Sequence, residues 1–149
     1  MEQTKELMAL HEKVMRFFRE MDVTFEVTKE YYRVRSGSTA VIVHPLQLRE
    51  NKTLLRIVAV VLSDVKKQGN EAMFEEFNET NSKTIFGKIY WEPYQEDADT
   101  GNVFFETYLI GETMDFEEFS SVLVATAKTA DEIDDKLKST YGGKRFYDD

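Results

Sequence analysis

The sequence has no cysteine, and this absence excludes disulfide bonds, thiolate metal sites and cysteine nucleophiles. The longest apolar run, residues 57–62, is far shorter than the roughly 20 residues that a membrane-spanning helix needs. The first residues contain no basic stretch followed by an apolar one, so the sequence predicts no secretory signal. Together these absences favour a cytoplasmic protein, because a chain without cysteine forms no disulfide bonds and so needs no oxidising compartment.

Catalytic and ligand-binding motifs are also missing. The glycine pair at 142–143 lacks the spacing of a phosphate-binding loop, and the serines lie in no nucleophile-elbow context. The acidic loop at 96–99 lacks the ligand spacing of a calcium site. His11 and His44 are the only histidines, and no carboxylate motif accompanies either of them. We therefore expect no enzymatic activity, no cofactor and no metal.

Positive charge is scarce. Nineteen lysines and arginines stand against 28 aspartates and glutamates, which gives a net charge of −9. An excess of negative charge repels nucleic acid phosphates and anionic lipids. We therefore expect neither nucleic acid nor a membrane as a partner.

The stretch 53–62 is the most informative part of the sequence. Alternate side chains of a strand point to opposite faces, and both faces of this stretch are apolar except at Arg56. A strand of this kind needs cover on both sides, so we expect it at the centre of a sheet. The inner-face residues would be Leu55, Ile57, Ala59 and Val61, and the outer-face residues Leu54, Arg56, Val58, Val60 and Leu62.

The hydrophobic pattern around this strand predicts an α+β fold. Helical spacing over 4–21 precedes three or so strands, of which one ends at Pro45 because proline cannot donate to a strand ladder. A short helix over 70–81, strands over 84–91 and 103–110, and a long helix from 115 to 141 follow. The predicted order is α-β-β-β-α-β-β-α, with an antiparallel sheet of five to six strands. We expect a single domain over 1–143 and a flexible tail over 144–149.

One predicted sheet face has the composition of an interaction surface. The outer side of the hairpin at 84–110 carries Phe86, Tyr90, Phe104, Tyr108 and Ile110 among charged residues. If the hairpin lies beside the central strand, this side joins Leu54, Val58 and Val60 in one apolar face. The alternative is that a helix of the same chain covers it.

The second half of the sequence resembles the YbjN-type domain, and the order of elements resembles the type III secretion chaperone fold. The resemblance rests on 77–81 (Phe-Asn-Glu-Thr-Asn) before a strand, the strand at 104–109, and the acidic start of the last helix at 115–119. Secretion chaperones are small, acidic and usually homodimeric, and they bind extended segments of partner proteins. YbjN-type proteins are described as candidate sensory-transduction regulators. For Asn78 and Asn81 we favour a structural role at the helix exit over ligand binding.

From the outer face and the resemblance we expect a non-enzymatic protein-binding module, chaperone-like or regulatory, that acts as a homodimer. The predicted binding or dimer residues are Val58, Tyr90, Phe104 and Tyr108. The alternative is a small-molecule sensor with a pocket between the sheet and the C-terminal helix.

Overall fold

A computed structural model describes residues 3–148, which form one six-stranded antiparallel sheet with three helices against one of its faces. The elements are α1 (Lys5–Met21), β1 (Phe25–Val27), β2 (Tyr32–Ser36), β3 (Thr39–Arg49), β4 (Lys52–Lys66), α2 (Ala72–Lys83), β5 (Lys88–Pro93), β6 (Thr100–Ile110) and α3 (Phe116–Tyr141).

The sheet order is β1-β2-β3-β4-β6-β5, so the first four strands run in sequence from one edge to the centre, β5 forms the opposite edge and β6 lies between β4 and β5. The predicted α+β class is confirmed, with four strands before α2 instead of the three in the predicted order. Strand β4 is central, as predicted, and pairs with β3 and β6. This pairing places the hairpin of β5 and β6 directly beside the central strand.

The inner face of β4 forms the middle of the hydrophobic core. Leu55, Ile57 and Ala59 are fully buried beneath α1 and α3. Phe18 of α1 and Phe119 of α3 meet edge to face above them, with ring centroids 5.5 Å apart. Burial of each large aliphatic side chain, such as Leu55 or Ile57, stabilises the fold by about 2 kcal/mol.

The predicted position of Leu62 on the outer face is wrong. The register between β4 and β6 shifts between Val60 and Leu62, where β4 carries an extra residue. A bulge of this kind breaks the alternation of side chains. As a result both Val61 and Leu62 are buried in the core cluster.

The prediction that a strand ends at Pro45 is also wrong, because β3 continues through it to Arg49. Thr53 accepts a hydrogen bond at its carbonyl from Gly111 and donates its N–H to Glu112, so both of its backbone groups face β6. Backbone groups alternate in direction along a strand, so Leu54 and Arg56 face β3, and their partners Leu46 and His44 face β4. The nitrogen of Pro45 therefore points away from β4, and the ladder loses no bond there.

The predicted strand over 84–91 begins only at Lys88. Gly87 has a φ of +77°, and a Cβ there would lie 2.5 Å from the Phe105 ring. This turn rotates Phe86 away from the outer face that it was predicted to share with Tyr90. Phe86 instead packs against Phe105 at the edge of the core.

Residues 144–148 continue past α3 and contact the sheet. Lys144 forms a β-bridge with Ser63, and Arg145 pairs with Asp135 and Asp148. Whether residues 144–149 are mobile stays a prediction, and Asp149 lies outside the described residues. Within residues 3–148, no helix has the length and apolar character that crossing a membrane requires.

Candidate functional site

The outer face of the sheet is a grid of side chains fixed by strand register. In one row Leu46 of β3 pairs with Leu54 of β4, and Leu54 pairs with Ile110 of β6. The next rows run from His44 through Arg56 to Tyr108, from Ile42 through Val58 and Glu106 to Lys88, and from Ala40 through Val60 and Phe104 to Tyr90. The predicted adjacency of β4 and the hairpin therefore holds.

The helices leave this face open over residues 3–148. The helical core residues pack with the opposite side of the strands, and Val58 and Val60 of the outer face stay outside that core cluster. At one end of the face the apolar residues Tyr108 and Ile110 are 43% and 54% exposed. Leu46 and Leu54 lie beside them and are half-buried. We call these four residues the outer patch.

A network of charged and polar side chains covers the centre of the outer face. The Glu106 side chain is only 4% exposed, and its carboxylate accepts hydrogen bonds from Arg56 Nε at 2.7 Å and from the Tyr90 hydroxyl at 2.9 Å. Lys88 Nζ lies 3.1 Å from the other carboxylate oxygen. Arg56 also donates to the Tyr90 hydroxyl at 2.9 Å. A buried carboxylate with three donors is fully compensated, so the network holds these strands in one arrangement.

The network shifts the ionisation of its members. Burial by itself raises the pKa of Glu106, but the hydrogen bonds from Arg56, Tyr90 and Lys88 outweigh it and hold the pKa below its usual value. Burial and the hydrogen bond to Glu106 raise the pKa of Tyr90. At neutral pH the network is therefore a carboxylate held by two cations and a neutral phenol, with no group poised to exchange protons.

The four predicted binding residues occupy different positions in this arrangement. Val58 is 1% exposed and pairs with Glu106, the centre of the charged network. Tyr90 and Phe104 form a half-exposed aromatic pair with ring centroids 5.6 Å apart. Tyr108 is the most exposed of the four and belongs to the outer patch.

Sequence reasoning missed two parts of this face. Leu46 was not assigned to it because the strand was expected to stop at Pro45. The pairing of Arg56 with Glu106 was also missed, although each is the charged residue at the middle of its own strand. A charged residue among apolar ones on each of two neighbouring strands is a signal for such a pair.

A separate cavity lies between the sheet and α3. It has a volume of about 410 Å³ and is lined mainly by apolar side chains, among them Met21, Val34, Val41, Leu123 and Ala127. Across residues 3–148 no three potential ligating side chains come close enough to hold a metal ion.

Comparison with known proteins gives a family and a fold. Residues 5–149 match the family model TY-Chap1, described as T3SS (YopN, CesT) and YbjN peptide-binding chaperone 1. The fold is similar to that in the crystal structure of YbjN from E. coli, with a TM-score of 0.65 at 8% sequence identity, over 87% of this chain and 92% of that one. No curated protein matches the sequence. The predicted resemblance to YbjN-type domains and secretion chaperones is thus confirmed.

Proposed function

We propose that this chain, which belongs to the TY-Chap1 family, is a non-enzymatic module that binds extended segments of partner proteins on the outer face of its sheet. The supporting observation is the outer patch, a contiguous apolar surface on a sheet face that the described helices leave open. Exposed apolar patches with a charged rim are typical of protein-binding surfaces. The rigid network around Glu106 would hold this surface in shape before a partner arrives.

The same face is proposed to join two copies of the chain in a homodimer. Replacing Phe104 and Tyr108 together with serine should leave the fold intact and convert a dimer to a monomer, measured by light scattering after size exclusion. A second variant, Tyr108→Ser with Ile110→Ser, changes only exposed side chains and so avoids the half-buried Phe104. Val124→Ser is the matched control, because Val124 is 57% exposed on α3, away from this face.

Peptide binding is tested separately from dimerisation. The full chain would be used to select from a random library of nine-residue peptides, and the selected peptides titrated against each variant. We expect weaker binding by the Tyr108 variants and unchanged binding by Val124→Ser. Unfolding of both serine double variants would show that the face is core, and unchanged binding and assembly would show that it is not the site.

The alternative proposal is a small-molecule sensor that uses the cavity between the sheet and α3. Its volume of about 410 Å³ lies within the usual range of ligand pockets. A sensor should show a ligand-dependent rise in melting temperature in a metabolite screen, since a ligand that binds the folded state stabilises it. Ala127→Phe fills the cavity and should abolish that rise, whereas a rise that survives it would place the ligand elsewhere.

A cytoplasmic location and the absence of catalysis remain part of the proposal. The absence of a nucleophile or acid–base motif in the sequence and the fully paired network on the outer face both support a binding role.

A further inference from the structure

The other end of the outer face carries a second feature, an open cavity lined by β1, β2, the turn after β2 and the residues after α3. Its volume is about 780 Å³. Three of the seven arginines of the sequence line it, Arg33, Arg35 and Arg145, and Glu26 is the one carboxylate among its described lining residues. We call it the arginine cavity. Its cationic lining contrasts with the net charge of −9 of the whole chain.

Two of these arginines have N–H groups without an acceptor among the described residues. Arg33 donates to Glu26 through one terminal nitrogen, but its Nε is buried and has no acceptor among residues 3–148. Arg35 donates through Nε to the carbonyl of Gly37 at 3.1 Å, and it forms no ion pair with a described residue. The buried Arg33 Nε is out of reach of a ligand, and the Arg33 guanidinium carbon lies 5.4 Å from the centroid of the Phe146 ring. The accessible donors are those of Arg35, which is exposed, and a carboxylate there would gain charged hydrogen bonds.

The third arginine forms part of the wall. Arg145 is already paired with Asp135 and with Asp148. It therefore shapes the wall of the cavity and is not a main donor to a ligand. Next to it Tyr147 lies under Arg35, whose guanidinium carbon is 4.3 Å from the ring centroid. The Tyr147 amide donates to the carbonyl of Ser38 at 3.1 Å, which anchors this wall to the turn between β2 and β3. The stacked ring and the Gly37 carbonyl together fix the direction of the Arg35 fork.

We propose that the arginine cavity binds a carboxylate, and that the carboxylate is an acidic side chain of the extended segment bound on the outer face. This inference rests on the proposed function. A guanidinium fork matches a carboxylate in geometry, and Arg35 uses only its Nε, so its terminal nitrogens can receive the ligand. Arg33 lies two residues away on the same face of β2 and adds positive charge beside it. Arg33 is paired with Glu26 and Arg145 with Asp135 and Asp148, which leaves Arg35 as the one arginine of the cavity without a carboxylate partner among the described residues. One unpaired guanidinium suits a single negative charge better than a dianion.

Strand register connects the cavity to the rest of the face. Arg35 pairs with Ala40, Ala40 with Val60, and Val60 with Phe104. Phe104 is therefore three strand spacings from Arg35, which is about 14 Å. An extended chain covers that distance in about four residues. The expected ligand thus has an aspartate or glutamate about four residues from an apolar side chain that packs near Phe104.

The experiment uses the same random peptide selection on the full chain. Selected peptides should be enriched in an acidic residue about four positions from an aromatic or aliphatic one. Exchanging that residue for its amide should weaken binding to the natural protein about tenfold, the usual effect of losing a charged hydrogen bond. In Arg35→Gln, and in Arg33→Gln with Arg35→Gln, the same exchange should change affinity less than about twofold.

Arg19→Gln is the matched control, since Arg19 is exposed on α1 and lies outside the cavity. It should retain the full preference for the acid. Circular dichroism checks that the cavity variants fold, and the exposed position of Arg35 predicts that Arg35→Gln does.

Each other outcome has a distinct meaning. Selected peptides that are apolar but have no acidic preference would overturn the cavity inference and leave the proposed function standing. If both arginine variants still prefer the acidic peptide over its amide, the cavity inference is likewise overturned and the proposed function stands. If no peptide is selected, the proposed function fails and the inference fails with it. If inorganic phosphate raises the melting temperature in an Arg35-dependent way, the cavity is a free-anion site and not a peptide subsite.

Discussion

Glu106 is the centre of the charged network on the outer face. Its carboxylate accepts hydrogen bonds from Arg56 and Tyr90 and forms an ion pair with Lys88. None of these three side chains has another carboxylate partner among the described residues. Arg56 is about three-quarters buried, so it would be left with an uncompensated charge if the carboxylate were removed.

We predict that Glu106→Gln lowers the free energy of unfolding by about 2 kcal/mol, measured by urea denaturation. The glutamine side chain has the same shape as glutamate, but it has one acceptor oxygen where the carboxylate has two. Its NH₂ group also repels the N–H donors of Arg56 and Lys88. Glu92→Gln on the neighbouring strand β5 is the control, because Glu92 is exposed and outside the network. A Glu106 variant as stable as the control would mean that the network contributes nothing to folding.

The low pKa of Glu106 also sets the sign of a pH effect. A carboxyl group whose pKa is lower in the folded state contributes stability that is fully present above its ordinary value of 4.5. That contribution is lost as the pH falls from 4.5 through the folded pKa. Glu106→Gln should therefore show a smaller loss of stability than the natural protein over this acid range.

At the scale of elements, one side chain of α2 joins β5 through two hydrogen bonds. Asn81 donates from Nδ2 to the carbonyl of Ile89 and accepts at Oδ1 from the Ile89 N–H, both at 2.8 Å. The amide thus pairs with an edge residue as a neighbouring strand would. The structural role expected for Asn81 at the helix exit agrees with this contact, whereas Asn78 is exposed.

We predict that Asn81→Asp destabilises the protein by about 1–2 kcal/mol, because a carboxylate cannot donate to the Ile89 carbonyl and is repelled by it. The matched control is Asn78→Asp, the same change three residues earlier on an exposed helix position. Hydrogen exchange at the Ile89 amide should quicken in the first variant only. Equal effects of the two changes would show that helix propensity, and not the bridge to β5, is responsible.

The elements also show where sequence patterns stop being informative. The alternation in β4 identified the central strand, because apolar burial on both sides is visible in residue type alone. Leu62 and Phe86 were misplaced because a bulge and a left-handed glycine reverse the side-chain direction without changing composition. Pro45 was misread because a single sequence does not reveal which side of a strand its backbone nitrogen faces.

For the whole molecule, the fold class could be predicted from the order of periodic segments, and the location of the site only in part. Strand alternation predicts an outer face that includes Tyr108, provided that β4 and the hairpin are neighbours in the sheet. The arginine cavity was not predictable, because it requires residues 145–147 to reach strands more than a hundred positions earlier. Such contacts depend on tertiary packing that local patterns do not encode.

The path of β3 past Pro45 has a consequence for how copies of the chain behave at high concentration. Among residues 3–148, β2 pairs with β3 only as far as Val43, so the following residues leave one strand edge without a neighbour. Such an edge invites another strand, and repeated additions build fibrils. Pro45 has no N–H to offer at that edge, so a strand that added there would lose one ladder hydrogen bond. Pro45 thereby lowers the tendency of a protein with an open apolar sheet face to add strands edge to edge.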